Sequence, residues 1–220
     1  MEGRFDKPAV IGLCGRSGAG KGFASALFAE LGIPSVDTDA VYRELTSPRN
    51  SRDELSDCMK ELVCIFGEGI LADDLSLDRR RMADIVFAVG NREKLEMLNR
   101  VTHRHILKRT DELIMHYAEL GAPAVVVDAP VLFESGYDKK CDLTVALTAP
   151  DELLTERIMR RDGITEEMAR RRLASQKSTD ELQALADMVI VNDGTEDELR
   201  EKIKMAADLA IRKGKRKSEA

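Results

Sequence analysis

Residues 9–22 read AVIGLCGRSGAGKG. The apolar, β-branched run from Ala9 to Cys14 ends in a glycine-rich turn, after which Phe23, Leu27, Phe28 and Leu31 recur at helical spacing. Strand, loop, helix is the context in which GxxxxGK acts as a phosphate loop, and Gly15 to Lys21 has that spacing. Glycines let successive backbone N–H groups turn toward phosphate oxygens, the helix N-terminus adds favourable partial charge, and the Lys21 ammonium can reach the outer phosphates. Gly15, Gly18, Ala19, Gly20, Lys21, Gly22 and Phe23 are therefore the candidate nucleotide-binding residues, with ATP and Mg²⁺ as the implied cofactors. The position after the lysine is ordinarily Ser or Thr, whose hydroxyl joins the Mg²⁺ shell. Gly22 has no side chain, so one expected ligand is absent; its N–H is retained, and water can serve in the hydroxyl's place.

Outward from this loop, Ser35 to Asp37 reads as a second strand and Asp39 as a residue able to cap a helix running toward Leu45. Residues 52–120 are helical in pattern, and strands return at Ala124 to Val127, Leu143 to Leu147 and Met188 to Val191. Helices are expected from Asp151 to Arg161, Thr165 to Gln176 and Thr195 to Ile211, with a break at Asp162 and Gly163. Strands alternating with helices imply a three-layer α/β fold with a five-stranded parallel sheet. The expected organisation is a nucleotide-binding core over 8–40 and 123–220, containing a helical lid at about 151–180, and a helical acceptor-binding subdomain over 41–122.

With 220 residues, 43% hydrophobic and 34% charged, the chain can bury a core and keep a solvated surface. The net charge of −6 argues against a nucleic-acid partner, and the basic residues Lys213, Lys215, Arg216 and Lys217 read as a frayed end. Cys14, Cys58, Cys64 and Cys141 lack CxxC spacing, which points to reduced thiols in a cytoplasmic protein and away from zinc. The N-terminal stretch MEGRFDKPAVIGLCG has too short an apolar run for a signal peptide, and no segment is long enough to span a membrane. Oligomeric state is left open.

A switch GTPase would need DxxG and NKxD, and neither pattern occurs. A small-molecule kinase needs an acceptor site, a carboxylate to accept the hydroxyl proton and arginines to cover the transferring phosphate. Asp37 and Asp39 lie at the carboxyl end of the second strand, where ligands of open parallel sheets bind. Arg157, Arg160, Arg161 and Arg170 to Arg172 flank the helix break, and an exposed, charge-rich helix pair would account for most of them.

The sequence resembles the dephospho-coenzyme A kinase family over nearly its whole length. Leu31 to Asp39, LGIPSVDTD, is similar to the family's LGxPxxDAD; Leu98 to His103 to LNxxxH; Asp128 to Glu134 to the segment ending in PLLFE; Arg157 to Gly163 to RxxxRDG; and Val191 to Gly194 to an NNG turn. The resemblance implies Asp39 as catalytic base, with Lys21, Arg157 and Arg161 in the catalytic set. It further implies Asn192 beside the adenine of ATP, and Asp37, His103, Pro130 and Phe133 toward the acceptor, dephospho-coenzyme A. A metal ligand is not assigned, Asp37 acting through water being the candidate. Arg16, Gly22, Arg104 and Asp193 depart from the family's pattern. The alternatives are a kinase for another small molecule, such as a nucleoside, and a nucleotide-binding protein with degraded catalysis.

Overall fold

The computed structural model describes residues 7–218; Met1–Asp6, the front of the N-terminal stretch with too short an apolar run for a signal peptide, lies outside them. In chain order the strands are β1 (Ala9–Gly15), β2 (Ser35–Asp37), β3 (Ala124–Asp128), β4 (Leu143–Thr148) and β5 (Met188–Val191). The helices are α1 (Lys21–Glu30), α2 (Thr38–Leu45), α3 (Asp57–Phe66), α4 (Arg79–Val86), α5 (Arg92–Glu119), α6 (Asp151–Asp162), α7 (Glu166–Ala174), α8 (Thr179–Leu185) and α9 (Glu196–Ser218). The expected five-stranded α/β fold is borne out: the sheet order is β2-β3-β1-β4-β5, and every pairing is parallel.

The three inner strands explain their own sequences. A parallel strand covered on both faces has no polar side to show, and β1, β3 and β4 are apolar runs buried almost end to end. Helix α1 sets Leu27 and Phe28 against this sheet, and α9 adds Leu199, Ile203, Ala206 and Ala210. Gly214 lets α9 come close to the start of β1, since a Cβ there would stand 2.9 Å from that of Ala9.

The chain divides into two compact units, residues 1–37 with 113–220 and residues 38–112, so the boundary falls inside α5. The second unit is helical and has its own core of Leu55, Met59, Leu62, Ile70, Met82, Val86 and Val101. Its helices start on side-chain caps: the Ser56 hydroxyl accepts from Met59 N–H, and the Asp78 carboxylate from Arg80 and Arg81 N–H.

Three local expectations need correction. Helix α2 begins at Thr38, so Asp39 stands within its first turn and is not its cap. An unexpected helix, α8, starts on a reciprocal capping box between Ser178 and Glu181. The basic C-terminal stretch is not frayed: α9 continues to Ser218, and the Lys213 ammonium lies 3.2 Å from the Asp187 carboxylate. Nothing in residues 211–217 breaks a helix except Gly214, which tight packing favours.

Candidate active site

The loop between β1 and α1 is tied down at successive positions by separate parts of the sheet unit. Arg16 pairs with Asp151 at the start of α6. Ser17 is clasped by Gln176, just past α7: its N–H donates to Oε1 at 2.9 Å, and Nε2 donates to its hydroxyl oxygen at 3.0 Å. The Ala19 carbonyl accepts from Asn192 Nδ2 at 2.9 Å, and Asn192 is itself anchored by its N–H to Thr148 O at 2.8 Å. Arg157 donates to the carbonyls of Asn192 at 3.0 Å and Gly18 at 3.4 Å. Gly20 sits at φ +94°, and a Cβ would meet Asn192 Nδ2 at 2.7 Å, so both backbone conformation and close approach require glycine.

These ties surround a cleft of about 550 Å³ at the carboxyl end of β1. Of the expected residues it gathers Gly15, Gly18, Gly20, Lys21, Gly22, Pro130, Arg157 and Arg161. Ala19 contributes its carbonyl while its methyl is buried in the core, and Asn192 acts through its side-chain amide on the loop; neither lines the cleft. Phe23, Phe133 and the exposed Asp37 also lie outside the cleft lining. Asp39, exposed in the first turn of α2, and His103, half-buried on α5, belong to the helical unit.

Charge in the cleft is organised by ion pairs. The Lys21 ammonium stands 2.5 Å from Asp128 Oδ1 at the end of β3. Asp37 is the register partner of Asp128 on the neighbouring strand, so two carboxylates end adjacent strands. Arg161 donates to the Asp162 carboxylate at 2.7 and 2.9 Å, and Arg172 pairs with the same group. Arg161 and then Arg172 hold the Asp162 carboxyl down to about 2, partly opposed by desolvation. Beneath the loop, burial pushes the Cys14 thiol up to about 12, against the attraction of Lys21, which keeps it neutral and unreactive.

Asp128, Gln176, Ser17 and Asp151 were not among the candidate site residues. Asp128 had a readable signal, a carboxylate closing a run of buried valines, but its partnership with Lys21 follows from β3 lying beside β1. The Ser17–Gln176 and Arg16–Asp151 ties span long sequence separations and carry no local pattern.

A parallel sheet of this order, with a GxxxxGK loop leaving its central strand and arginines from α6 lining the same cleft, defines a P-loop kinase of the small-molecule type. The family model for dephospho-CoA kinase matches residues 9–198. The dephospho-CoA kinase of Corynebacterium jeikeium is 38% identical over 194 residues, covering 88% of this chain and 95% of that protein. That of Carboxydothermus hydrogenoformans is 34% identical over 194 residues, covering 88% and 90%. Among solved structures, TT1252 from Thermus thermophilus aligns with TM-score 0.70 and 30% identity over 90% of this chain and 95% of that one. The dephospho-CoA kinase from Campylobacter jejuni shares the fold, with TM-score 0.57 and 22% identity over 92% and 98%. The chain belongs to the dephospho-CoA kinase family.

Proposed function

We propose that this protein transfers the γ-phosphoryl group of ATP to the ribose 3′-hydroxyl of dephospho-CoA, giving CoA. The observation that carries the reading is the convergence of Lys21, Arg157 and Arg161 on one cleft at the phosphate loop, in a chain of this family. Loop N–H groups and Lys21 hold the phosphates, and Arg157 and Arg161 offset charge on the transferring group. Asp39, exposed just beyond the carboxyl end of β2, accepts the hydroxyl proton. Asp39 and His103 on the helical unit, and Pro130 and Phe133 on the sheet unit, are the residues proposed for the acceptor. Asn192 sets the adenine side of the nucleotide site through its hold on the loop.

The residues present fit a Mg²⁺ brought by the nucleotide. Mg²⁺ characteristically keeps several waters and takes one or two carboxylates plus substrate phosphates. Asp128, in the cleft, would supply such a carboxylate and its register partner Asp37, outside the cleft lining, would act through water, while a Cβ at Gly22 would meet nothing within 4 Å, leaving room for water where a hydroxyl is usual. When bound, the ion neutralises phosphate charge. No helix among the described residues is long and apolar enough to cross a membrane.

The test is incubation of the purified protein with labelled ATP, Mg²⁺ and a panel of acceptors containing dephospho-CoA, nucleosides and sugars. Label should appear on dephospho-CoA as the 3′-phosphate. Label on another acceptor with none on dephospho-CoA would overturn the assignment, and tight ATP binding without any transfer would favour a binding protein.

A further inference from the structure

The second position of the phosphate loop carries a large charged residue, Arg16, and this side chain is buried. Arg16 is 7% exposed, its Nε has no hydrogen-bond partner, and both terminal nitrogens go to one carboxylate, that of Asp151. Its backbone is fixed as well: the N–H donates to Leu147 O at 3.1 Å, and the carbonyl accepts from Ala19 N at 3.1 Å. A guanidinium this deeply buried needs its counter-charge, and Asp151 supplies it while remaining 58% exposed on its own side. The pair therefore joins a rigid loop to a solvent-facing helix end.

Asp151 is the first residue of α6. Arg157 and Arg161, which line the cleft, follow on the same helix at roughly 9 and 15 Å along its axis at 1.5 Å per residue. The helix is held again further along, where Arg157 donates to Asn192 O and Gly18 O and where Leu154 and Ile158 are buried in the core, so the Arg16–Asp151 pair adds the fixed point at its first turn.

We propose that Arg16 is a positioning residue: its ion pair with Asp151 anchors the first turn of α6 to the phosphate loop, a pivot that together with the Arg157 ties sets the distance at which Arg157 and Arg161 meet the transferring phosphate. This rests on the roles proposed above for those two arginines. Loss of the pivot lowers the rate of transfer and leaves ATP affinity nearly intact, because loop N–H groups and Lys21 still hold the nucleotide.

The experiment compares Arg16→Met, Arg16→Lys and Asp151→Ala with the wild-type protein. Methionine replaces a buried charge by an apolar chain of similar length, so thermal stability should hold. Even so, kcat should fall about tenfold, with KM for ATP within about twofold, as expected for an interaction exerted mainly in the transition state. Arg16→Lys keeps the charge without the two-point geometry and should recover part of kcat. Asp151→Ala should match the kcat loss of Arg16→Met and also lower the melting temperature, since it strands the buried guanidinium. Amide exchange supplies a readout independent of transfer: ATP should slow exchange over residues 152–174 in the wild-type protein and much less in Arg16→Met. If wild type transfers nothing to dephospho-CoA, the acceptor assignment fails, and exchange alone decides the pivot. Unchanged kcat in Arg16→Met, or equal protection by ATP in both proteins, would overturn the proposal.

Discussion

Lys21 and Asp128 form an ion pair at 2.5 Å, with side chains only 22% and 15% exposed. The ammonium proposed to reach phosphate is held by a carboxylate at the end of the adjacent strand. An ammonium carries three N–H donors, so Lys21 can keep Asp128 while it reaches phosphate, and both side chains line the same cleft.

Replacing Lys21 by Ala should lower transfer by a factor of about 10² to 10³, because a charge aimed at the transition state is lost. It should also cost on the order of 1–3 kcal/mol of stability by leaving Asp128 partly buried without the lysine. Adding Asp128→Asn should restore most of that stability but none of the rate. Calorimetry and steady-state kinetics on the three variants check both halves, and full turnover in Lys21→Ala would remove the lysine from the mechanism.

Asp39→Asn should retain ATP binding and depress turnover by about 10² or more, since the amide matches the carboxylate in shape but cannot take a proton. Asp39 is exposed inside the first turn of α2, so folding should be affected only slightly. Nucleotide titration together with kcat measures the separation, and equal losses of binding and rate would contradict a role as base.

Thiol labelling tests the environment beneath the loop. Burial raises Cys14 to about 12 and Cys58 to about 11, and Cys141 is buried with its thiol on Tyr137 O, whereas Cys64 is exposed. Brief treatment of the native protein with iodoacetamide at pH 8 should add one label, at Cys64. Peptide mass mapping reads the site, and rapid labelling of Cys14 would mean that the loop opens.

Acid should weaken the Arg161–Asp162–Arg172 cluster late. The folded carboxyl is depressed to about 2, so its contribution is fully present above the ordinary aspartate range and is lost as pH falls toward about 2. Asp162→Asn should flatten that part of the acid-unfolding profile, and an unchanged profile would mean that the group carries no linkage.

What could be read from the sequence divides by range. The inner strands announced themselves because burial on both faces demands unbroken apolar runs, and the break between α6 and α7 because Gly163 adopts φ +65°. Helix α8 escaped notice: its signal is the short Ser178 to Glu181 box, not an apolar stripe. The site was legible where one segment carries it, as at Gly15 to Lys21. Asp128, Asp151 and Gln176 reach the loop only through strand order and helix packing, which local spacing does not encode.

Restoring Ser at Gly22 should lower the Mg²⁺ concentration needed for half-maximal activity. A Cβ there would meet nothing within 4 Å, and the backbone at this second residue of α1 is not among the positive-φ glycines, so the hydroxyl can be added without strain. Exchanging a water for a tethered oxygen is worth roughly 1 kcal/mol, about fivefold in apparent metal affinity, because the displaced water already provided part of the interaction. Serine also favours the helix over glycine by a few tenths of a kcal/mol, so melting must be measured without nucleotide to separate backbone stiffening from metal coordination. Activity titrated against Mg²⁺ then decides. A midpoint that stays put or rises in Gly22→Ser would mean that Asp128 and Asp37, with their waters, already complete the shell and that glycine costs the loop nothing.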